Sequence, residues 1–242
     1  MNSRFLPVLL FYTAIFGARG QTAKMRSLPE LINEQDPGWT LVSKWIAEAK
    51  NPVQILPKTA SRADSALLAA QVTMRSPLGA IIYETGGVLI DNGWLRILGS
   101  GSPSLNRDIM GWNTGKNDGF LLVADDAVGG FFAINAGAFG SESIGKVFYL
   151  SPDNLEWEPT DKSYSDFLIF CFSGNLEKFY LDARWKDWAK DVRQLSGMQG
   201  IACYPYLFTK EGGDIDKVTR KTVPIAELWT FQNQMRQQLN IH

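Results

Sequence analysis

The stretch that most constrains the fold runs from Phe120 to Leu150, FLLVADDAVGGFFAINAGAFGSESIGKVFYL, where apolar and aromatic runs alternate with turn formers. Leu121 to Ala124 is a short apolar run, and Asp125-Asp126-Ala127-Val128-Gly129-Gly130 reads as a turn. Phe131 to Asn135 has the aromatic and branched composition of a returning strand, and Lys146 to Leu150 supplies a third. Three consecutive strands with short connections describe an antiparallel meander. They establish a fold class and carry no chemistry.

The remaining periodicity builds helices around that sheet. Pro29–Ile32 and Trp39–Ala49 read as a packed helical pair, the second with Val42, Trp45, Ile46 and Ala49 on one face. Asn51–Lys58 reads as a link, and Ala63–Val72 as a third helix. Gly79–Glu84, Gly87–Asp91 and Gly93–Leu98 read as short strands, with Asn92-Gly93 as a hairpin turn. Helical character returns at Ser165–Phe172, in one long stripe from Phe179 to Leu195, and at Ile225–Leu239 behind Pro224. Helices, then strands, then helices is the order of an α+β layer rather than of βαβ units. The expectation is a single α+β domain with a mostly antiparallel sheet of about six strands, flanked by N- and C-terminal helices.

The first twenty residues read separately from that domain. Arg4 is followed by the apolar run Phe5–Phe16 and by Ala18-Arg19-Gly20, the three parts of a signal peptide cleaved before Gln21. The run is about 12 residues, too short for the roughly 20 that span a bilayer. The expectation is a leader at 1–20 and a domain at 21–242 in the periplasm or medium, without stable membrane insertion. A start at Met25 would instead leave the protein cytoplasmic. Removing the leader leaves 22 basic against 25 acidic residues, a net charge of −3. No basic run is present, which argues against nucleic acid as partner.

Catalytic and metal signals are sparse. The single histidine, His242, is the last residue, so the many serines and the two cysteines lack the usual activating base. Cys171 and Cys203 are too few for a zinc site or a disulfide scaffold, and whether they pair is left open. Asp125-Asp126 with Asn135, and Asn113–Gly119, lack the spacing of calcium loops and read as turns. Gly99–Ser104 approaches a dinucleotide fingerprint but lacks its third glycine and its βαβ context. No cofactor is expected. Glu84, Asp91, Glu156 and Glu158 near strand ends keep a periplasmic, carboxylate-dependent glycan hydrolase as the alternative function. Trp94 and Trp112, beside Gly-rich turns, are expected at the surface, where with Asp125 and Asp126 they would hold a protein partner.

Met25 to Ile32, GGVLIDNGWLRILGSG at Gly86–Gly101, LLVADDAVGGFFAIN at Leu121–Asn135, VFYLSPDNLEWE at Val147–Glu158 and YPYLFTKEG at Tyr204–Gly212 together resemble the bacterial domain of unknown function 2625 family. That resemblance brings no catalytic residues. More distantly, the strands from Leu121 to Leu150 and the helix start at Tyr164–Leu168 are similar to the SUKH superfamily of Smi-Knr type proteins. This second resemblance implies an α+β binding protein, immunity-like, with a toxin-like or envelope protein as its partner.

Overall fold

The computed structural model describes residues 24–32, 35–116 and 118–241; residues 1–20, where the leader is expected, and His242 lie outside the described residues. Seven strands form one antiparallel sheet in which every neighbour in space is the neighbour in sequence. They are β1 (Val53–Leu56), β2 (Gly87–Ile90), β3 (Leu95–Leu98), β4 (Phe120–Asp126), β5 (Phe131–Asn135), β6 (Lys146–Leu150) and β7 (Trp157–Ser163). A separate hairpin pairs β8 (Gln199–Tyr204) with β9 (Thr219–Pro224). The α+β expectation holds. The strand list changes: one expected strand is lost, and β1, β7 and the β8–β9 hairpin are gained.

Gly79–Glu84 is not a strand but belongs to a helix, Pro77–Glu84. Ser76 accepts a hydrogen bond from Gly79 N at 3.0 Å and Pro77 occupies the first turn, so the start is capped. Its run of buried apolar residues has no helical stripe to betray it, because the helix is covered on nearly all sides. The supposed link contains β1, and β7 closes the other edge. The stripe from Phe179 to Leu195 is also not one helix. It breaks into Leu176–Phe179 and Trp188–Val192, with Asp187 in the left-handed region at φ 71°.

In chain order the helices are α1 (Leu28–Leu31), α2 (Gly38–Ala47), α3 (Ala60–Ala70), α4 (Pro77–Glu84), α5 (Ile109–Asn113), α6 (Tyr164–Ser173), α7 (Leu176–Phe179), α8 (Trp188–Val192) and α9 (Ile225–Leu239). The first two do not pair: α1 packs on α3, and α2 on α4. Cross-strand partners share a face, so Val88, Ile97, Ala124, Phe132 and Tyr149 form one row across the sheet. Phe167 of α6 packs on Phe132 at 4.9 Å between ring centres, with α2 and α4 against α6. The opposite face carries Leu89, Arg96, Asp125, Phe131 and Leu150. There Trp229 of α9 meets Phe131 edge-on at 5.0 Å, and the β8–β9 hairpin lies beside it. The sheet is therefore sandwiched between a helical layer and a thinner layer of one hairpin and one helix. No described helix is long and apolar enough to cross a membrane.

Candidate functional site

Asp125 and Asp126 are the last two residues of β4 rather than part of the turn, and both are fully buried. Alternation along the strand sends them to opposite faces. Asp125 faces the hairpin layer, where Arg96 Nη2 pairs with its Oδ1 at 2.6 Å and Arg107 Nη1 pairs with Oδ2. The two guanidiniums continue outward. Arg96 donates to Gln199 O, and Arg107 Nε donates to Gly197 O at 3.0 Å, so the charge cluster ties β3 and β4 to the start of β8. Burial works against the charge on Arg96, and the Asp125 carboxylate opposes that effect.

Asp126 faces the helical layer. Its Oδ1 accepts from Val128 N at 3.0 Å and Gly130 N at 2.7 Å, and its Oδ2 accepts from the Tyr149 hydroxyl at 2.8 Å. Burial pushes the Asp126 carboxyl above its ordinary value, while these donors pull it back. A Cβ on Gly130 would collide with both Asp126 Oδ2 and the Tyr149 hydroxyl, so only glycine admits this turn.

The surface expected at Trp94 and Trp112 is absent. Trp94 is fully buried against Tyr180, Trp185 and Trp188, with the Arg184 guanidinium over its ring at 4.8 Å. Arg184 is itself paired with Asp91 at 2.7 Å. Trp112 is buried between Arg107 and Lys116, whose cations stand over its ring at 4.6 and 4.3 Å. Glycines beside a tryptophan signalled a turn in the sequence. Here the turn folds the ring inward, because its apolar area is worth burying and cations cover its face. All four expected partner-binding residues are interior.

The carboxylates of the hydrolase alternative fall into two groups at opposite ends of the sheet. Glu84 is held by Lys58 at 2.6 Å and Asp91 by Arg184, both beside β2, whereas Glu156 and Glu158 belong to the β7 edge. Five strand spacings separate β2 from β7, roughly 24 Å. A glycosidase pair needs about 5 to 9.5 Å. Cys171 and Cys203 are free and buried; burial raises the Cys171 thiol well above its ordinary value and that of Cys203 to about 11. Neither is a thiolate at neutral pH.

Two cavities flank the buried aspartates. The smaller, about 150 Å³, lies on the helical side against Phe132, Tyr149, Phe167 and Phe179. The larger, about 230 Å³, is a groove where the turn after β4 meets β8, α9 and the loop leaving β8. Ile201 N donates to Ala127 O at 2.7 Å and Gln232 Nε2 donates to Gly129 O at 2.7 Å, fixing β8 and α9 to that turn. Gly200 lets the helix come close, since a Cβ there would stand 2.7 Å from Leu228 Cδ1. One wall is a cluster of three rings: Tyr206 on Phe231 at 4.6 Å, Tyr206 stacked on Phe208 at 5.4 Å, and Phe208 to Phe231 at 6.2 Å. Two polar groups line the groove without partners among the described residues. Gln232 is 3% exposed and its Oε1 accepts no hydrogen bond, and the Glu227 carboxylate makes no hydrogen bond or ion pair with a described residue. An unpaired buried amide oxygen costs about 1–3 kcal/mol, which a bound donor would recover. YPYLF in the sequence was the available signal for this wall. The glutamine had none, since its burial depends on the docking of α9.

Residues 28–228 match the family described as Protein of unknown function DUF2625. The chain belongs to that family. Among its relatives, YbfG of Escherichia coli (strain K12) is 40% identical over 216 residues, covering 88% of this chain and 98% of the relative. An uncharacterized protein of Haemophilus influenzae (strain ATCC 51907 / DSM 11121 / KW20 / Rd) is 40% identical over 208 residues, covering 83% of this chain and 91% of its own length. The DUF2625 match includes β8, the aromatic loop and Glu227. It ends inside α9, four residues before Gln232.

Proposed function

We propose that this DUF2625 protein is a non-enzymatic, immunity-like protein-binding module, exported by its leader, and that the groove beside α9 is its recognition surface. The observation that carries this reading is the groove itself: an aromatic wall with two polar groups that no described residue answers. Rigid aromatics around a small number of placed polar atoms are the composition of a recognition site. Further support comes from the interior, where Asp125 and Asp126 are consumed by structural bonds and the thiols are held protonated. The distant resemblance of the strands from Leu121 to Leu150 to SUKH proteins, read from the sequence alone, is in keeping with a binding role.

The test is capture from fractionated cells of the native host with the wild-type chain and with Tyr206→Ala/Phe231→Ala, both checked for equal thermal stability. One stoichiometric envelope or secreted protein retained by the wild type and lost from the variant supports the reading. Equal retention by both removes the groove from it. Recovery of the native protein in the cytoplasm removes the export, and turnover of a cell-wall glycan by the purified chain replaces binding with hydrolysis.

A further inference from the structure

We infer that the groove receives the guanidinium of an arginine side chain presented by the partner protein, an inference that rests on the groove being a recognition surface. Three features of the groove call for that group together. The Tyr206, Phe208 and Phe231 rings supply π-faces, on which a planar cation stacks favourably. Gln232 Oε1 is a buried acceptor in need of an N–H, and Glu227 brings an unpaired carboxylate to the same lining. One N–H of Gln232 Nε2 is given to Gly129 O, which fixes the amide with its oxygen facing away from that bond and free of any described donor.

Guanidinium answers each of these. It carries five N–H donors and no acceptor, keeps its charge at any physiological pH, and is less strongly hydrated than an ammonium. Its aliphatic stem matches the remaining lining of Val128, Ile201 and Leu228. Gln232 is 3% exposed and its Oε1 is shielded from water in the free protein, so a donor meets it only where the groove wall yields to an entering side chain.

The probe is acetyl-Gly-Arg-Gly-amide titrated into the isotope-labelled full chain and followed by NMR, beside its citrulline and lysine counterparts and free arginine. The expected result is saturable shifts confined to residues 199–208 and 225–232, with the citrulline peptide, which keeps the shape and loses the charge, at least about tenfold weaker. Glu227→Gln and Gln232→Leu should each weaken the arginine peptide by about 10-fold or more, the usual range for contacts to a charged group. Glu227 is exposed in the first turn of α9, so its variant keeps the test readable if Gln232→Leu does not fold. Equal binding of all three peptides, no saturable binding, or full affinity in both variants overturns the inference. Free arginine binding as tightly as the peptide assigns the site to a small molecule and overturns the protein source. If the peptide fails while Tyr206→Ala/Phe231→Ala still abolishes capture, the recognition surface stands and only the arginine assignment falls.

Discussion

The two faces of the seven-stranded sheet are covered by layers built on different principles. On one face α2, α4 and α6 bury Val42, Ile81, Ile82, Phe167 and Phe172, and the carboxylate that enters this layer, Asp126, is answered by one hydroxyl and two backbone N–H groups. On the other face a hairpin and one helix suffice, and charges anchor them: Asp125 holds Arg96 and Arg107, which reach Gln199 O and Gly197 O. A thick layer is positioned by area, because many apolar contacts sum. A thin layer has less area to spend and needs directional bonds to sit in one place. It also ends sooner, and where it ends the groove opens.

Breaking the anchor is the strongest test of that contrast. Arg96→Met leaves Asp125 with one cation and removes the bond to Gln199 O, and losing one partner of a buried pair costs about 3–5 kcal/mol. Urea unfolding should show that loss. Replacing Arg96, Arg107 and Asp125 together by apolar residues should recover much of it, since apolar substitutes for a whole buried ion cluster are often neutral. A loss below about 1 kcal/mol for Arg96→Met would mean that area alone positions the hairpin.

The matching test on the helical face is smaller. Gly130→Ala forces a Cβ against Asp126 Oδ2 and the Tyr149 hydroxyl, and overpacking of this kind costs about 1–3 kcal/mol. It should lower stability while leaving the arginine peptide's affinity within twofold or so, because Gly130 points away from the groove. Asp126 also gives the face a pH signature. Its folded pKa is raised by burial, so the folded state holds the proton more tightly than the unfolded chain, whose value is near 3.8. The stability it contributes is fully present below that value and is lost as pH rises toward the folded pKa. Asp126→Asn cannot titrate, so the wild-type advantage over it should shrink as pH is raised from 3 to 7 in parallel unfolding series. A pH-independent difference would mean that burial and the three donors cancel, and an advantage that grows with pH would mean that the donors govern this carboxylate.

How legible each region was in the sequence follows the same division. The meander from Phe120 to Leu150 was readable because strand and turn chemistry are local, and α9 was readable from Pro224 and its periodicity. The helix at Pro77–Glu84 was not, because a segment buried all round has no polar face to set its period. Trp94, Trp112, Asp125 and Asp126 were correctly singled out as unusual and wrongly placed at the surface. A charged residue beside glycines looks exposed until its partners are known, and the side chains that answer these two come from 18 and 29 positions away for Asp125 and from 23 positions away for Asp126. The groove was invisible for a related reason. Its rings, its helix and its turn are separated by dozens of residues, and what distinguishes Gln232 is a bond that is missing.

Gln232 gives the smallest effect on stability and the most telling separation of effects. Gln232→Leu removes the bond to Gly129 O, which costs, and also removes the unpaired Oε1, which gains; the two are of similar size, so stability should change by no more than about 1 kcal/mol in either direction. A buried polar residue retained only for architecture should behave like Arg96, with the loss appearing in the unfolding curve. One retained for a ligand should leave that curve nearly in place and appear in binding instead. Unfolding by urea beside peptide titration of the same variant reads both quantities. A loss of several kcal/mol with unchanged affinity would put Gln232 with the anchors of the thin layer, and a flat unfolding curve with a tenfold weaker peptide would put it with the groove.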